Sequence, residues 1–158
     1  MTSFLIDITR FVSRIGHGHP TGIDRVEIEY IKYLNSRDPN CLALAKMGKE
    51  YSVIPCAKVV SSLDQALSTY PLTKPRLRDA IRLKLSKHQR AARSYYRAAA
   101  LHTGPDVGKV LSQCALGGAE YVNVGHSNLS DTVFTAARAA GCSKTSVMVH
   151  DMIPLDFP

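Results

Sequence analysis

The sequence predicts an α/β domain with a mainly parallel sheet and flanking helices. The first third reads as a strand, a glycine-containing loop and a helix, and the last third as strand, helix and strand. Near-continuous apolar strands alternating with helices favour a parallel sheet covered on both faces. The 158 residues are 45% hydrophobic, enough for one core of ordinary domain size, and the single domain is expected to span residues 1–158.

Residues 3–12 read as a strand, because FLIDI alternates and then runs apolar with β-branched residues. RIGHGHPTG is a turn-rich stretch. In IDRVEIEYIKYL, Ile23, Val26, Tyr30 and either Ile31 or Leu34 recur at helical spacing, with Asp24, Glu27, Glu29 and Lys32 mostly facing away. Thr21 is the natural N-cap, with Asp24 three residues on in a weaker version of the capping box. CLALAKMGKEYSVIP supplies either two strands with a turn near Met47-Gly48-Lys49 or one bent strand. From Leu77, just after Pro75, an apolar and aromatic stripe through Ile81, Leu85, His88, Ala92, Tyr95 or Tyr96 and Ala99 predicts a long helix. HTGPDVG is a loop and KVLSQCA a short element of either kind. EYVNVGH is then a strand, Ser130 an N-cap, TVFTAARAA a helix with Gly141 as its stop, and SVMVHDMIPL a strand.

Charge is concentrated in one segment. Residues 74–97 hold nine Lys and Arg and the single acid Asp79, whereas the rest of the chain is close to neutral. No apolar run reaches the roughly 18 residues of a membrane span, and Asp7 and Arg10 interrupt the N-terminal apolar stretch, so neither a spanning helix nor a signal peptide is expected. Four cysteines, Cys41, Cys56, Cys114 and Cys142, form no C-x-x-C pair. They read as small core hydrophobes in a reducing, cytoplasmic compartment.

Three groups of residues could carry chemistry. In Pro20-Thr21-Gly22-Ile23-Asp24-Arg25, a glycine at a strand-to-helix junction allows backbone approach, and the first free N–H groups of the helix point at anions. The plainer alternative is an ordinary capped turn. Neither G-x-G-x-x-G nor a phosphate-binding G-x-x-x-x-G-K-[ST] occurs. His150-Asp151, with His126 and Asn128 after the preceding strand, could position a sugar hydroxyl, move a proton or bind a metal. A metal site would add His17 and His19, but the spacing of a zinc motif is missing, and no metal is expected. The His-Asp pair also resembles that of metal-dependent phosphohydrolases, which belongs to a helical bundle rather than a strand end. Ligands of open parallel sheets bind beyond the carboxyl ends of the strands, where His126 and His150 would lie. The third group is the basic amphipathic helix at 74–97. Its bases Arg82, Lys84, Arg90 and Arg93 suit an anionic membrane surface. A solvated face or, less favoured, a nucleic-acid contact is the alternative.

LIDITRFVSR…HPTGIDRVEIEYIKYL, VNVGHSNL and VMVHDMIPLDFP together resemble the N-terminal domain of bacterial family 4 glycosyltransferases, the retaining GT-B enzymes of cell-envelope polysaccharide synthesis. The resemblance covers about half the chain, at both ends, and leaves out residues 41–113. It implies a Rossmann-like acceptor-side domain facing a second, nucleotide-sugar domain. Gly22 and Thr21 would then lie near the donor diphosphate, with Arg25 one turn into the helix. Thr21 stands where many relatives have a second glycine. His150 would lie near the transferred sugar, Asp151 would hold its loop, and His126 and Asn128 would line the acceptor side. The chain stops at Pro158 without the family's nucleotide-sugar site, so by itself it is expected to be an inactive, truncated domain that binds no cofactor. Its expected partners are a glycan or glycolipid acceptor, a nucleotide sugar for a full-length relative, and a C-terminal domain or a second copy. Its expected place is the cytoplasm or the inner membrane face. A non-catalytic basic module for anionic lipid or RNA is the competing reading.

Overall fold

A computed structural model describes residues 3–68 and 85–150. Six strands, β1 (Phe4–Asp7), β2 (Leu42–Met47), β3 (Glu50–Pro55), β4 (His102–Gly104), β5 (Glu120–Asn123) and β6 (Lys144–Val147), form one sheet in the order β4-β3-β2-β1-β5-β6. β2, β1, β5 and β6 run parallel, and β3 and β4 pair antiparallel at one side. The protein is therefore α/β with a mixed, mostly parallel sheet.

β1 shows why both faces are covered. Its neighbouring residues Leu5 and Ile6 are fully buried but belong to different cores, since successive strand side chains point to opposite faces. Ile6 packs with α1 (Thr9–Arg14), α2 (Gly22–Arg37), α3 (Cys56–Val60), α4 (Leu63–Ala66) and α5 (Lys87–Ala99) through residues such as Phe11, Ile31, Val59, Leu63 and Tyr96. Leu5 packs with α6 (Val107–Leu111) and α7 (Asp131–Ala139) through Val110, Leu111 and Val133. Each side chain so buried contributes about 1.5–3 kcal/mol.

Several expectations hold. Thr21 caps α2, and its capping box with Asp24 is complete. Gly48, at φ 76°, turns the β2–β3 hairpin, a backbone conformation that glycine adopts without steric cost. Ser130 caps α7, the left-handed Gly141 follows its end, and β5–α7–β6 is a parallel βαβ unit.

Others are corrected. The strand expected over residues 3–12 ends at Asp7, and Thr9–Arg14 is helical. The Asp7 carboxylate accepts the Thr9 N–H at 2.9 Å and turns the chain out of the sheet. Ile8, Phe11, Val12 and Ile15, all buried, already carry a helical period inside that apolar run. On α2 the acids Asp24 and Glu27 do not face away, since they are 4% and 0% exposed. HTGPDVG holds β4 at the sheet edge, where a loop was expected. The helix expected through 74–97 does not run unbroken, because Ser86 caps α5 with Gln89 in a capping box and residues 85–86 lie outside it. The expected turns at 74–84, with Arg82 and Lys84, lie outside the described residues. Among the described residues no helix is long and apolar enough to cross a membrane.

The packing of α5 rests partly on one buried hydroxyl pair. Tyr96, fully buried against Phe11, shares a 2.8 Å hydrogen bond with Ser62, whose own hydroxyl donates to the Val59 carbonyl. Tyr96→Phe is expected to lower stability by about 1 kcal/mol in urea unfolding. Tyr96→Ala, which also leaves a cavity, should lower it by about 3–5 kcal/mol.

Candidate functional site

From β1 the chain runs through α1 and α2 to β2 on one side, whereas from β5 it runs through α7 to β6 on the other. The adjacent carboxyl ends of β1 and β5 are thus a topological switch point, the crevice where open α/β sheets receive ligands.

Asp7 and Asn123 stand opposite each other there. Asp7 is 2% exposed and its Oδ2 accepts the Tyr121 hydroxyl at 3.0 Å and the Asn128 Nδ2 at 2.8 Å. Burial pushes its carboxyl above the ordinary range, against the lowering effect of these bonds and those from Thr9. Burial, reinforced by Asp7, also pushes the Tyr121 phenol upward. Asn123 donates from Nδ2 to the Ser127 carbonyl at 2.8 Å and to the Tyr121 hydroxyl at 3.2 Å. Its buried Oδ1 has no hydrogen-bond partner among the described residues.

The loop leaving β5 is held from both sides. His126 and Asn128 have positive φ, 54° and 63°, a conformation that short polar side chains tolerate better than most. Gly125 lies so close to α1 and α2 that a Cβ there would meet the Arg10 Cβ at 2.8 Å and both Glu27 carboxylate oxygens at 3.0 Å. Glu27 is wholly buried, with the Phe11 N–H donating to its Oε1 at 3.3 Å and no hydrogen bond to Oε2 among the described residues. Burial raises its pKa to about 8; the Phe11 N–H and Arg10 oppose that rise, and the charges of Asp7 and Asp24 add to it.

Arg10 connects this loop to the start of α2. Its stem lies against Gly125, and its Nε is 3.1 Å from Asp24 Oδ1. Asp24 also accepts from the Thr21 N–H at 2.8 Å and hydroxyl at 2.7 Å, and Arg14 lies 3.6 Å away. Burial acts to raise the Asp24 pKa, but the Thr21 bonds and the two arginines outweigh it and hold the carboxylate below its ordinary range.

His126 and His150 meet beyond the carboxyl ends of β5 and β6, with ring centroids 5.0 Å apart. His150 Nε2 bonds to the Val124 carbonyl at 2.8 Å, and His126 Nε2 to the Met148 carbonyl. A carbonyl only accepts, so in these bonds each ring donates from Nε2.

The structure therefore brings together His126, Asn128 and His150, while Asp151 lies outside the described residues. Thr21 is occupied in capping, and Gly22 and Arg25 are exposed at the start of α2. No atom lies within 4 Å of a Cβ built on Gly22, so no close approach among the described residues requires glycine there. His17 bonds to Gln89 on α5, away from the His126–His150 pair. Among the described residues no three His, Cys, Asp or Glu side chains are grouped to hold a metal ion. Arg90 and Arg93 are half-buried on α5, and Arg97 pairs with Glu50 at 3.2 Å.

Asp7, Arg10, Glu27, Tyr121 and Asn123 were not singled out from the sequence. A signal for two of them was present, because Asp7 and Asn123 are polar residues that each directly follow a buried apolar pair, Leu5-Ile6 and Tyr121-Val122, at a strand end. No protein-family model, curated protein or solved structure matches the chain.

Glu27 makes stability depend on pH. Between its unfolded value near 4.5 and its folded value of about 8, the folded chain holds a proton that the unfolded chain has released, so its contribution is full below 4.5 and is lost as pH rises to 8. Urea unfolding should show the wild type losing about 2–4 kcal/mol more than Glu27→Gln between about pH 5 and pH 8. Equal losses in the two proteins would mean that Glu27 is ionised in the folded state. Gly125→Ala, which must displace Arg10 or Glu27, should cost about 1–3 kcal/mol by the same measurement.

Proposed function

We propose that the carboxyl edge of this sheet is the acceptor-binding side of a Rossmann-like domain from a retaining GT-B glycosyltransferase. The acceptor would be a lipid-linked or polysaccharide glycan of the cell envelope, met in the cytoplasm at the inner membrane face. One observation carries this reading. The three segments that resemble the family are far apart in the chain, yet β1 with α1 and α2, the loop after β5, and residues 147–150 of the last segment come together at the carboxyl edge of the sheet.

In this reading an acceptor hydroxyl donates to Nδ1 of His150 or His126, whose Nε2 protons are already committed to backbone carbonyls. Asn128 stays oriented by its bond to Asp7 and offers its carbonyl oxygen to a second hydroxyl. The nucleotide sugar is a substrate held largely by the second domain that the resemblance implies. Gly22 and Arg25 would approach its diphosphate, where N–H groups and a guanidinium stabilise the charge of the leaving group. Asp24 brings a negative charge to that end of α2, and the nearby Arg10 and Arg14 offset it. The basic-module alternative gains less support. Within the described part of the basic segment, Arg90 and Arg93 are half-buried and Arg97 is ion-paired.

Saturation-transfer NMR of the chain against oligosaccharides released from envelope glycolipids, with nucleotide diphosphates as the comparison, tests this reading. Oligosaccharide binding is expected, weakened about tenfold or more by His150→Ala and by Asn128→Ala with the far-UV circular dichroism unchanged. Binding of no oligosaccharide, or binding indifferent to both substitutions, would defeat the proposal.

A further inference from the structure

At the opposite edge of the sheet, Cys41 and Cys56 face each other. Cys41 immediately precedes β2 and Cys56 immediately follows β3, one residue beyond the last antiparallel pair, Leu42 and Pro55. The Cys56 N–H donates to the Cys41 carbonyl at 2.9 Å, so the ladder extends to them. Residues opposed across an antiparallel ladder have Cα atoms about 4.5–5.5 Å apart, within the roughly 4.4–6.8 Å that a disulfide spans. Their Sγ atoms lie 2.8 Å apart, both residues are wholly buried, and both thiols are free. Cys41 also lines a cavity of about 420 Å3 together with Cys114 and His102.

We propose that Cys41 and Cys56 are a facultative disulfide site, closed by exchange with a low-molecular-weight disulfide such as oxidised glutathione. The Cys41 thiolate attacks one sulfur of the small disulfide and expels one small thiolate. The Cys56 thiolate then attacks the Cys41 sulfur of the mixed disulfide and expels the second. The protein loses two protons and two electrons, and the small disulfide is reduced to two thiols that take up those protons. The bond joins the start of β2 to the end of β3 and the first residue of α3, leaving the carboxyl edges of β1, β5 and β6 untouched. The bonded Cys41 thiol and burial both hold the Cys56 thiol in its protonated form, which makes exchange slow while the chain stays folded. Closure is therefore expected as the chain folds. This inference does not depend on the proposed function.

Reduced, urea-unfolded protein is refolded in mixtures of reduced and oxidised glutathione, quenched in acid, alkylated after unfolding, and mapped by mass spectrometry. Alkylatable thiols should fall from four to two, with a linked Cys41–Cys56 peptide and with Cys114 and Cys142 alkylated. The urea midpoint of the oxidised protein should lie above that of the reduced protein and return on reduction, with no such shift in Cys56→Ser. Since Cys56→Ser could fold poorly, the peptide map of the unaltered chain decides the question. Four alkylated thiols at the most oxidising mixture, a lasting glutathione adduct, or a link from either residue to Cys114 or Cys142 would overturn the proposal.

Discussion

The buried carboxylate of Asp7 is the constraint on which the centre of the structure depends. One oxygen takes the Thr9 N–H and so ends β1 and starts α1. The other takes Tyr121 from β5 and Asn128 from the loop beyond it. A single side chain thus sets where the first strand stops, how the first helix leaves, and where the next loop sits. Such a group is costly to bury and strongly destabilising when its partners are removed, so the positions of all three are coupled.

Around this point the protein buries acids where an amphipathic helix would ordinarily place apolar side chains. Asp24 and Glu27 face inward from α2, but their environments separate them. Two arginines and the Thr21 cap keep Asp24 charged, whereas burial favours Glu27 as a neutral acid against the bond from the Phe11 N–H and the charge of Arg10. Arg10 ties the two environments together, because its head meets Asp24 and its stem lies beneath Gly125. The start of α2 and the loop after β5 therefore cannot move independently.

Much of this was legible in the sequence. The capping residues Thr21 and Ser130 and the strand–helix–strand order at the chain's end act locally, and local rules read them, whereas the hairpin turn at Gly48 was one of two readings left open. The inward turn of Asp24 and Glu27 was not legible, because it depends on arginines and a glycine supplied by other segments. The helix at Thr9–Arg14 was hidden because an apolar run satisfies strand and helix periods at once until Asp7 breaks it. His126, Asn128 and His150 were expected together beyond the strand ends, and they converge there. The bonds of the two rings to the Met148 and Val124 carbonyls emerge only once β5 and β6 are paired. The opposition of Cys41 and Cys56 follows from hairpin register once the turn at Gly48 is fixed, so it was available to a reading that committed to the hairpin.

The parallel pairing of β1 with β5 has a consequence for how the chain folds. Asp7 and Asn123 are register partners more than a hundred residues apart, and β1 also needs β2 on its other side. The middle of the sheet is therefore its least local part, whereas the β2–β3 hairpin closes over a two-residue turn. Loop-closure entropy must be overcome before such a distant pairing returns any stability, which slows folding relative to local contacts. During synthesis β1 emerges first but has to wait for β5, and for that interval its apolar residues lie open to wrong partners.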